Sequence, residues 1–216
     1  MGRFRRKRSP WLDIPAADYE GHMSLEWVGQ LQALNRLFEE IMVTFEPRRL
    51  AVLGCATGNG FEHIDPEVTE AVVAVDINPS YLDVLTDRYG AQLPGLRVVC
   101  GDALKANIEP DSLDHVHAGL FFEYVEPKPM LERIVTWLTP GGVLSVALQL
   151  PSDRSGPVTD TPYETLELLE PAMRLVDPGA LGAAAAGAGL SERKSFDVEL
   201  KQGKKLRVIY YVRTHA

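Results

Sequence analysis

Cysteine is scarce in this chain, and its scarcity excludes two classes of protein. Cys55 and Cys100 are the only cysteines, they form no CxxC pair, and no histidine cluster lies near them. A disulfide-stapled scaffold and a cysteine-ligated zinc site are therefore excluded. We expect both thiols to be reduced and no metal to be bound.

Long apolar runs are also absent. No stretch approaches the roughly 20 apolar residues of a membrane-spanning helix, and the basic N-terminus is not followed by the apolar core of a secretion signal. The sequence therefore predicts a cytoplasmic protein with no membrane partner.

Positive charge is sparse outside the N-terminus. The chain has 22 Lys and Arg against 30 Asp and Glu, a net charge of −8, and its start carries a basic cluster of Arg3, Arg5, Arg6, Lys7 and Arg8. We assign residues 1–10 to a flexible basic arm. Such an arm can bind RNA or an acidic protein. The acidic remainder does not favour nucleic acid, because a phosphate-binding surface needs clustered Lys and Arg.

The composition is that of an ordinary globular protein: 216 residues, 45% hydrophobic and 24% charged. Residues 11–48 are assigned to an N-terminal lid and helix, because apolar residues recur at helical spacing from Ser24 until Pro47 ends the run. Residues 49–216 are assigned to a single domain, to which the N-terminal lid and helix are attached.

From residue 49 onward, short apolar runs alternate with helical stretches, which is typical of a parallel sheet covered by helices on both faces. The predicted strands are Leu50–Leu53, Ala71–Val75, Leu96–Cys100, Leu113–Ala118 and Val143–Leu148. Tyr81–Tyr89 and Met130–Leu138 are predicted as crossover helices, and Pro140-Gly141-Gly142 as the turn before the fifth strand.

The last third of the chain departs from this alternation. Residues 151–178 are interpreted as an insertion over the site, with the Ser152–Asp160 loop as a candidate cover and a short helical patch at Tyr163–Leu169. An alanine-rich helix is predicted at Ala180–Ala188. The runs Phe196–Leu200 and Leu206–Val212 flank a glycine turn and predict an antiparallel hairpin.

The most informative segment is a glycine loop that follows the first predicted strand. Gly54, Gly58 and Gly60 precede a predicted helix and allow backbone N–H groups to approach a ligand closely, although they can also simply form a tight turn. The second strand ends in Asp76, at the spacing from Gly54 that suits a ribose-binding carboxylate. Asp76 can instead cap the helix that begins at Pro79.

The glycines follow G-x-x-x-G-x-G rather than the G-x-G-x-x-G of NAD and FAD enzymes, so a nicotinamide oxidoreductase is the last hypothesis. With the acid after the second strand and the terminal hairpin, the chain resembles the class I S-adenosylmethionine (SAM)-dependent methyltransferase family from about Arg49 to Val212. The resemblance implies an α/β fold with a doubly wound, seven-stranded, mostly parallel sheet and an antiparallel C-terminal hairpin. It also implies SAM as methyl donor and S-adenosylhomocysteine (SAH) as product.

The resemblance further implies a cofactor site. Asp76 would hold the ribose hydroxyls, Ile77 would pack on the adenine, and Asp102 with Ala103 would contact the adenine edge, although Asp102 can instead cap a helix. The loop residues implied to pass under the methionine and ribose are Gly54, Cys55, Ala56, Gly58 and Gly60. The chain departs from the family at Val52, where an acid is usual, and at Ala56, where a glycine is usual.

In such a fold the segment after the fourth strand reaches the reacting sulfonium. His117 is the first candidate base, with Glu123 and Tyr124 as alternatives, and His117 can instead serve the SAM amine through its backbone carbonyl. Tyr19 and His22 lie in the segment that resembles a lid. They are expected either to contact the SAM carboxylate or to pack where the first helix starts.

Three functions remain open from the sequence. A SAM-dependent methyltransferase of a small molecule is preferred, because the acidic body suits no polyanion. A methyltransferase of RNA or protein would use the basic arm as its docking element. A non-catalytic SAM-binding module is favoured by Val52 and Ala56 in the loop.

Overall fold

The computed structural model describes residues 8–153 and 156–214. Residues 1–7 of the basic arm assigned to residues 1–10 therefore lie outside the described residues. From that arm, Arg8 forms a surface ion pair with Asp13 at 3.0 Å.

One seven-stranded sheet forms the centre of the chain, with the strand order β3-β2-β1-β4-β5-β7-β6. Its strands are β1 (Arg49–Leu53), β2 (Ala71–Asp76), β3 (Leu96–Cys100), β4 (Leu113–Gly119), β5 (Leu138–Gln149), β6 (Leu190–Glu199) and β7 (Lys205–Arg213). The first five strands pair in parallel, and β7 pairs antiparallel with both β5 and β6. The predicted sheet and its terminal hairpin are confirmed.

Helices cover both faces of this sheet, as predicted. They are α1 (Ala16–Ser24), α2 (Gln30–Phe45), α3 (Pro79–Tyr89), α4 (Pro127–Trp137) and α5 (Pro178–Ala188). Trp137 of α4 and Leu181 of α5 belong to the core on one face. Phe38 of α2 and Leu85 of α3 belong to the core on the other. Proline occupies the first turn of α3, α4 and α5, where its missing N–H costs nothing.

The N-terminal helix does not begin at Ser24, and that prediction is wrong. Ser24 ends α1, and α2 begins at Gln30 after Gly29 adopts a left-handed φ of 67°. The apolar periodicity nevertheless continued through the break, because Val28 is buried although it lies outside both helices. At this position the helical spacing of apolar residues indicates which residues are buried, and it does not indicate one continuous helix.

The helix predicted directly after the glycine loop is also wrong, because only a 3-10 turn, Phe61–His63, follows it. The neighbouring helix α2 fills the space instead, and Phe38 stacks on Phe61 with ring centroids 6.0 Å apart.

Several predicted boundaries are shifted. Strand β5 begins at Leu138, and Pro140-Gly141-Gly142 forms an irregularity within it, where the register against β4 shifts between Leu113 and His115. Strand β6 begins at Leu190, well before the predicted Phe196. No helix among the described residues combines the length and the apolar character needed to cross a bilayer.

Candidate functional site

A cavity of about 380 Å³ lies at the carboxyl ends of the central strands, next to the point where the strand order reverses between β1 and β4. It brings together nine of the predicted site residues: Tyr19, His22, Gly54, Ala56, Asp76, Ile77, Asp102, Ala103 and Tyr124. Five predicted residues do not line it: Cys55, Gly58, Gly60, His117 and Glu123.

Asp76 is the best-supported binding group of this cavity. Its side chain is buried at the end of β2, one oxygen accepts a hydrogen bond from the Ala56 N–H at 2.9 Å, and the other accepts from the Asn78 N–H at 2.8 Å. Burial raises the pKa of Asp76, and the backbone hydrogen bonds oppose that rise. Since a carboxylate oxygen accepts about two hydrogen bonds, each oxygen retains capacity for a ligand hydroxyl.

Ala56 adopts the conformation that a glycine would normally supply. Its φ is 46°, in the left-handed region that an L side chain populates only at a cost. The conformation directs the Ala56 N–H at Asp76. The departure at this position therefore retains the loop shape while straining the backbone.

Asn78 is a functional neighbour that the sequence analysis missed. Its Oδ1 accepts from the Ser80 N–H at 3.0 Å and caps α3, while its Nδ2 donates to the Trp11 carbonyl at 2.8 Å. Asn78 therefore caps α3 in place of Asp76, and the Asp76 carboxylate faces the cavity instead. An Asn directly before Pro79 is a standard start of a helix and was a readable signal.

Asp102 caps a short helical turn and lines the cavity as well. Its Oδ1 accepts from the Leu104 N–H at 3.1 Å at the start of the 3-10 turn Ala103–Lys105. The capping alternative is thus present in the structure, and it does not remove Asp102 from the cavity wall.

Two of the three loop glycines face the protein interior. A Cβ on Gly58 would lie 2.9 Å from the Tyr89 ring, and one on Gly60 would lie 2.9 Å from Phe38. Gly54 lines the cavity, and Cys55 is buried in the core, where burial raises the pKa of its thiol. Gly58 and Gly60 are therefore required by packing in this structure.

His117 lies behind the cavity wall in a buried cluster. The Ser145 hydroxyl is 2.9 Å from His117 Nδ1 and 2.8 Å from His115 Nε2. Burial lowers the pKa of His117 to about 4. Burial, with His117 nearby, lowers the pKa of His115 to about 3. Since a hydroxyl carries one proton, it donates to one ring and accepts from the other, an arrangement that suits two neutral imidazoles.

Glu123 is sealed behind the end of β5, and Tyr124 faces the cavity. One Glu123 oxygen accepts from the Gln149 N–H at 2.8 Å, and the other is buried without a partner among the described residues. Burial raises the pKa of Glu123 to about 7. The Tyr124 ring packs edge-to-face on Trp11 at 5.0 Å, and burial raises its pKa, which keeps the phenol neutral.

Two chain segments cover the cavity and contact each other. Helix α1 approaches residues 156–173 where His22 Nδ1 lies 3.0 Å from Thr161 Oγ1. Glu20, also on α1, accepts from the Thr57 hydroxyl of the glycine loop at 2.6 Å and pairs with Arg88 of α3. The N-terminal segment thereby holds the loop, α3 and the insertion together.

The cavity wall is poor in positive charge. None of the described residues that line it is Lys or Arg, and its carboxylates are Asp76, Asp102 and Glu126. The described residues also contain no group of three or more His, Cys, Asp or Glu side chains arranged to hold a metal ion. Sequence analysis gave no signal for two further lining residues, Gln30 and Gln149, because they follow no motif.

Residues 51–146 match the family described as "Methyltransferase domain". No curated protein matches the sequence.

Solved structures share the fold at low sequence identity. The cyclase SpnF has a TM-score of 0.70 at 14% identity, over 89% of this chain and 85% of SpnF. The N-methyltransferase NodS from Bradyrhizobium japonicum WM9, in complex with SAH, has 0.66 at 12% identity, over 91% of this chain and 96% of NodS. Geranyl diphosphate C-methyltransferase from Streptomyces coelicolor A3(2), with Mg²⁺, geranyl diphosphate and SAH, has 0.67 at 11% identity, over 87% of this chain and 82% of the enzyme. At identities this low, the structural likeness establishes the shared fold alone.

Proposed function

We propose that the chain is a methyltransferase of the family whose model matches residues 51–146, and that it transfers a methyl group from SAM to a small molecule. The observation that carries the proposal is the buried Asp76 carboxylate, held by two backbone N–H groups and facing a cavity beside Gly54. A carboxylate at the end of the second strand is suited to the two hydroxyls of a ribose.

The proposed cofactor contacts follow the cavity wall. Asp76 binds the ribose, Gly54 and Ala56 face the methionine part through their backbones, and Ile77 with Asp102 and Ala103 receives the adenine. Cys55, Gly58 and Gly60 shape the loop through packing. Tyr19 and His22 close the cavity from the lid side.

Catalysis in this cavity would rest on positioning and exclusion of water. Methyl transfer is a displacement at carbon with a good leaving group, so alignment in a dry site supplies much of the acceleration. Of the three candidate catalytic residues, Tyr124 alone lines the cavity. His117 and Glu123 lie behind the wall, where we propose that they support the ends of β4 and β5.

A small acceptor suits this site better than a polymer. Helix α1 and residues 156–173 both line the cavity and contact each other over it. RNA or protein methylation through the basic arm would need those covers to separate widely. We retain a cytoplasmic location as a proposal, supported by two cysteines that form no disulfide.

A non-catalytic or differently reacting SAM-binding protein is the second candidate. It is favoured by the strained Ala56 and by the fold shared with SpnF, which is described as a cyclase.

Calorimetric titration with SAM, SAH and NAD tests the proposal. We expect SAM and SAH to bind at one site per chain with micromolar affinity and NAD to give no heat. An assay for SAH release across acceptor classes then separates the first candidate from the second. Tighter binding of NAD than of SAM would refute both.

The lid makes a separate prediction. A Cβ on Gly21 would lie 2.2 Å from the Tyr163 ring, so Gly21→Ala must displace that ring and separate α1 from the insertion. We expect the dissociation constant for SAM to rise about tenfold, which is about 1.4 kcal/mol, measured by calorimetry.

Gly187→Ala is the matched control, because a Cβ at that position of α5 meets nothing within 4 Å. It should leave SAM affinity unchanged and stabilise the helix slightly. Adding Tyr163→Ala to Gly21→Ala removes the clash. If Gly21→Ala binds SAM as the wild type does, the contact between α1 and the insertion has no part in closing the site.

A further inference from the structure

One end of the cavity is formed by two buried glutamine side chains. Gln30 at the start of α2 is 7% exposed, Gln149 at the end of β5 is 2% exposed, and both line the cavity. Gln30 Nε2 donates to Gln149 Oε1 at 2.8 Å, and Gln149 Nε2 donates to the Pro157 carbonyl at 2.7 Å. The two amides and the Pro157 carbonyl of the insertion are thus joined by two consecutive hydrogen bonds.

The Pro157 carbonyl fixes which atom of each amide donates and which accepts. A backbone carbonyl only accepts, so the Gln149 amide must present its nitrogen to Pro157 and its oxygen to Gln30. Lys204 Nζ also donates to the Pro157 carbonyl, at 3.0 Å, which reinforces that polarity. Gln30 must therefore use its nitrogen towards Gln149, which leaves its oxygen for another donor.

No described residue donates a hydrogen bond to Gln30 Oε1, and this oxygen is not among the side-chain atoms that are fully buried without a partner. The oxygen is therefore accessible from the cavity. A ligand N–H or O–H can donate a hydrogen bond to this accessible oxygen, whereas a carboxylate or phosphate oxygen would be repelled.

The cavity wall beside this oxygen is apolar or neutral, and Lys204, which donates to Pro157, does not line it. Leu34 lies one turn along α2, and Leu166 and Leu169 enter the cavity wall from the insertion. Burial lowers the pKa of His22 to about 4, so its imidazole is neutral at physiological pH. An ammonium group here would also be disfavoured, because no carboxylate among the described residues is hydrogen-bonded to the two side-chain amides, and the Lys204 ammonium donates to the same Pro157 carbonyl as Gln149 Nε2.

We propose that the methyl acceptor is an uncharged, largely apolar molecule whose protic O–H or N–H group donates a hydrogen bond to Gln30 Oε1. The proposal rests on the proposed function and specifies its substrate class.

The test uses one ring system with four substituents. Naphthol, its methyl ether, naphthoate and a naphthyl trimethylammonium are titrated into SAH-saturated protein by ligand-observed NMR. Naphthol is expected to bind about tenfold or more tightly than the methyl ether, and the two charged probes more weakly still.

Gln30→Leu should abolish the preference for naphthol over its methyl ether, which a loss of packing alone would not do. Gln32→Leu, the same substitution two residues along α2 at an exposed position, should preserve it. Tightest binding of naphthoate, a preference that survives Gln30→Leu, or binding of no probe by SAH-loaded protein would each overturn the proposal. Failure of SAH itself to bind would overturn the proposed function, and this proposal with it.

Discussion

Asp76→Ala is expected to lower the affinity for SAM by about a hundredfold or more while leaving the chain folded. Two ribose hydroxyls would each lose a hydrogen bond to a charged acceptor, about 1.5–3 kcal/mol apiece. Folding should suffer less, because burial already raises the pKa of Asp76 and makes its charged form costly. Calorimetry measures the affinity and thermal denaturation the stability.

Asp83→Ala serves as the control for this substitution, since Asp83 is an exposed carboxylate on α3, the helix that follows Asp76. It removes the same charge close by and should leave the affinity within about twofold. Unchanged SAM binding by a folded Asp76→Ala protein would remove the central support of the proposed function.

Acidification from pH 7 to pH 5 is expected to lower the free energy of unfolding by about 4 kcal/mol, the net effect of three buried histidines and of Glu123. Burial holds the pKa of His22 and His117 at about 4 and that of His115 at about 3, against 6.5 in the unfolded chain. Below pH 6.5 the unfolded state therefore binds more protons, and the stability present above that pH is lost. Each histidine contributes roughly 2 kcal/mol over this range.

The titration of Glu123 has the opposite effect on the free energy of unfolding and provides a check on this prediction. Its folded pKa of about 7 exceeds the unfolded 4.5, so the native state gains a proton as the pH falls and recovers about 2 kcal/mol. Glu123→Gln retains a side-chain oxygen for the Gln149 N–H and removes this titration. Urea denaturation should then show a steeper loss of stability for Glu123→Gln than for the wild type. A wild-type chain more stable at pH 5 than at pH 7 would contradict the assignment.

The central sheet could be predicted because its signals are local. Short apolar runs such as Leu50–Leu53 and Ala71–Val75 identify buried parallel strands directly, and a glycine turn between two β-prone runs identifies the hairpin. The break at Gly29 could not be predicted from periodicity, because Val28 is buried between the helices and continues the apolar pattern.

The site was predictable where it follows strand ends. Asp76 is the last residue of β2 and Asp102 lies two residues after β3, and parallel strands place their carboxyl ends at one edge of the sheet. Spacing does not tell which way a loop glycine faces, so Gly58 and Gly60 were grouped with ligand residues although they pack inward. Gln30 and Gln149 come together only through tertiary structure, 119 positions apart.

The bond from Lys204 to Pro157 has a consequence for biosynthesis. Lys204 directly precedes β7, the strand inserted between β5 and β6, so the insertion is held by a residue that is synthesised 47 positions later than Pro157. Domains generally begin to fold from the N-terminal side as the ribosome extends them. A nascent chain that stops short of Lys204 has the glycine loop and Asp76 but lacks the anchor of its cavity roof. Cofactor capture is therefore expected only after Lys204 has been synthesised.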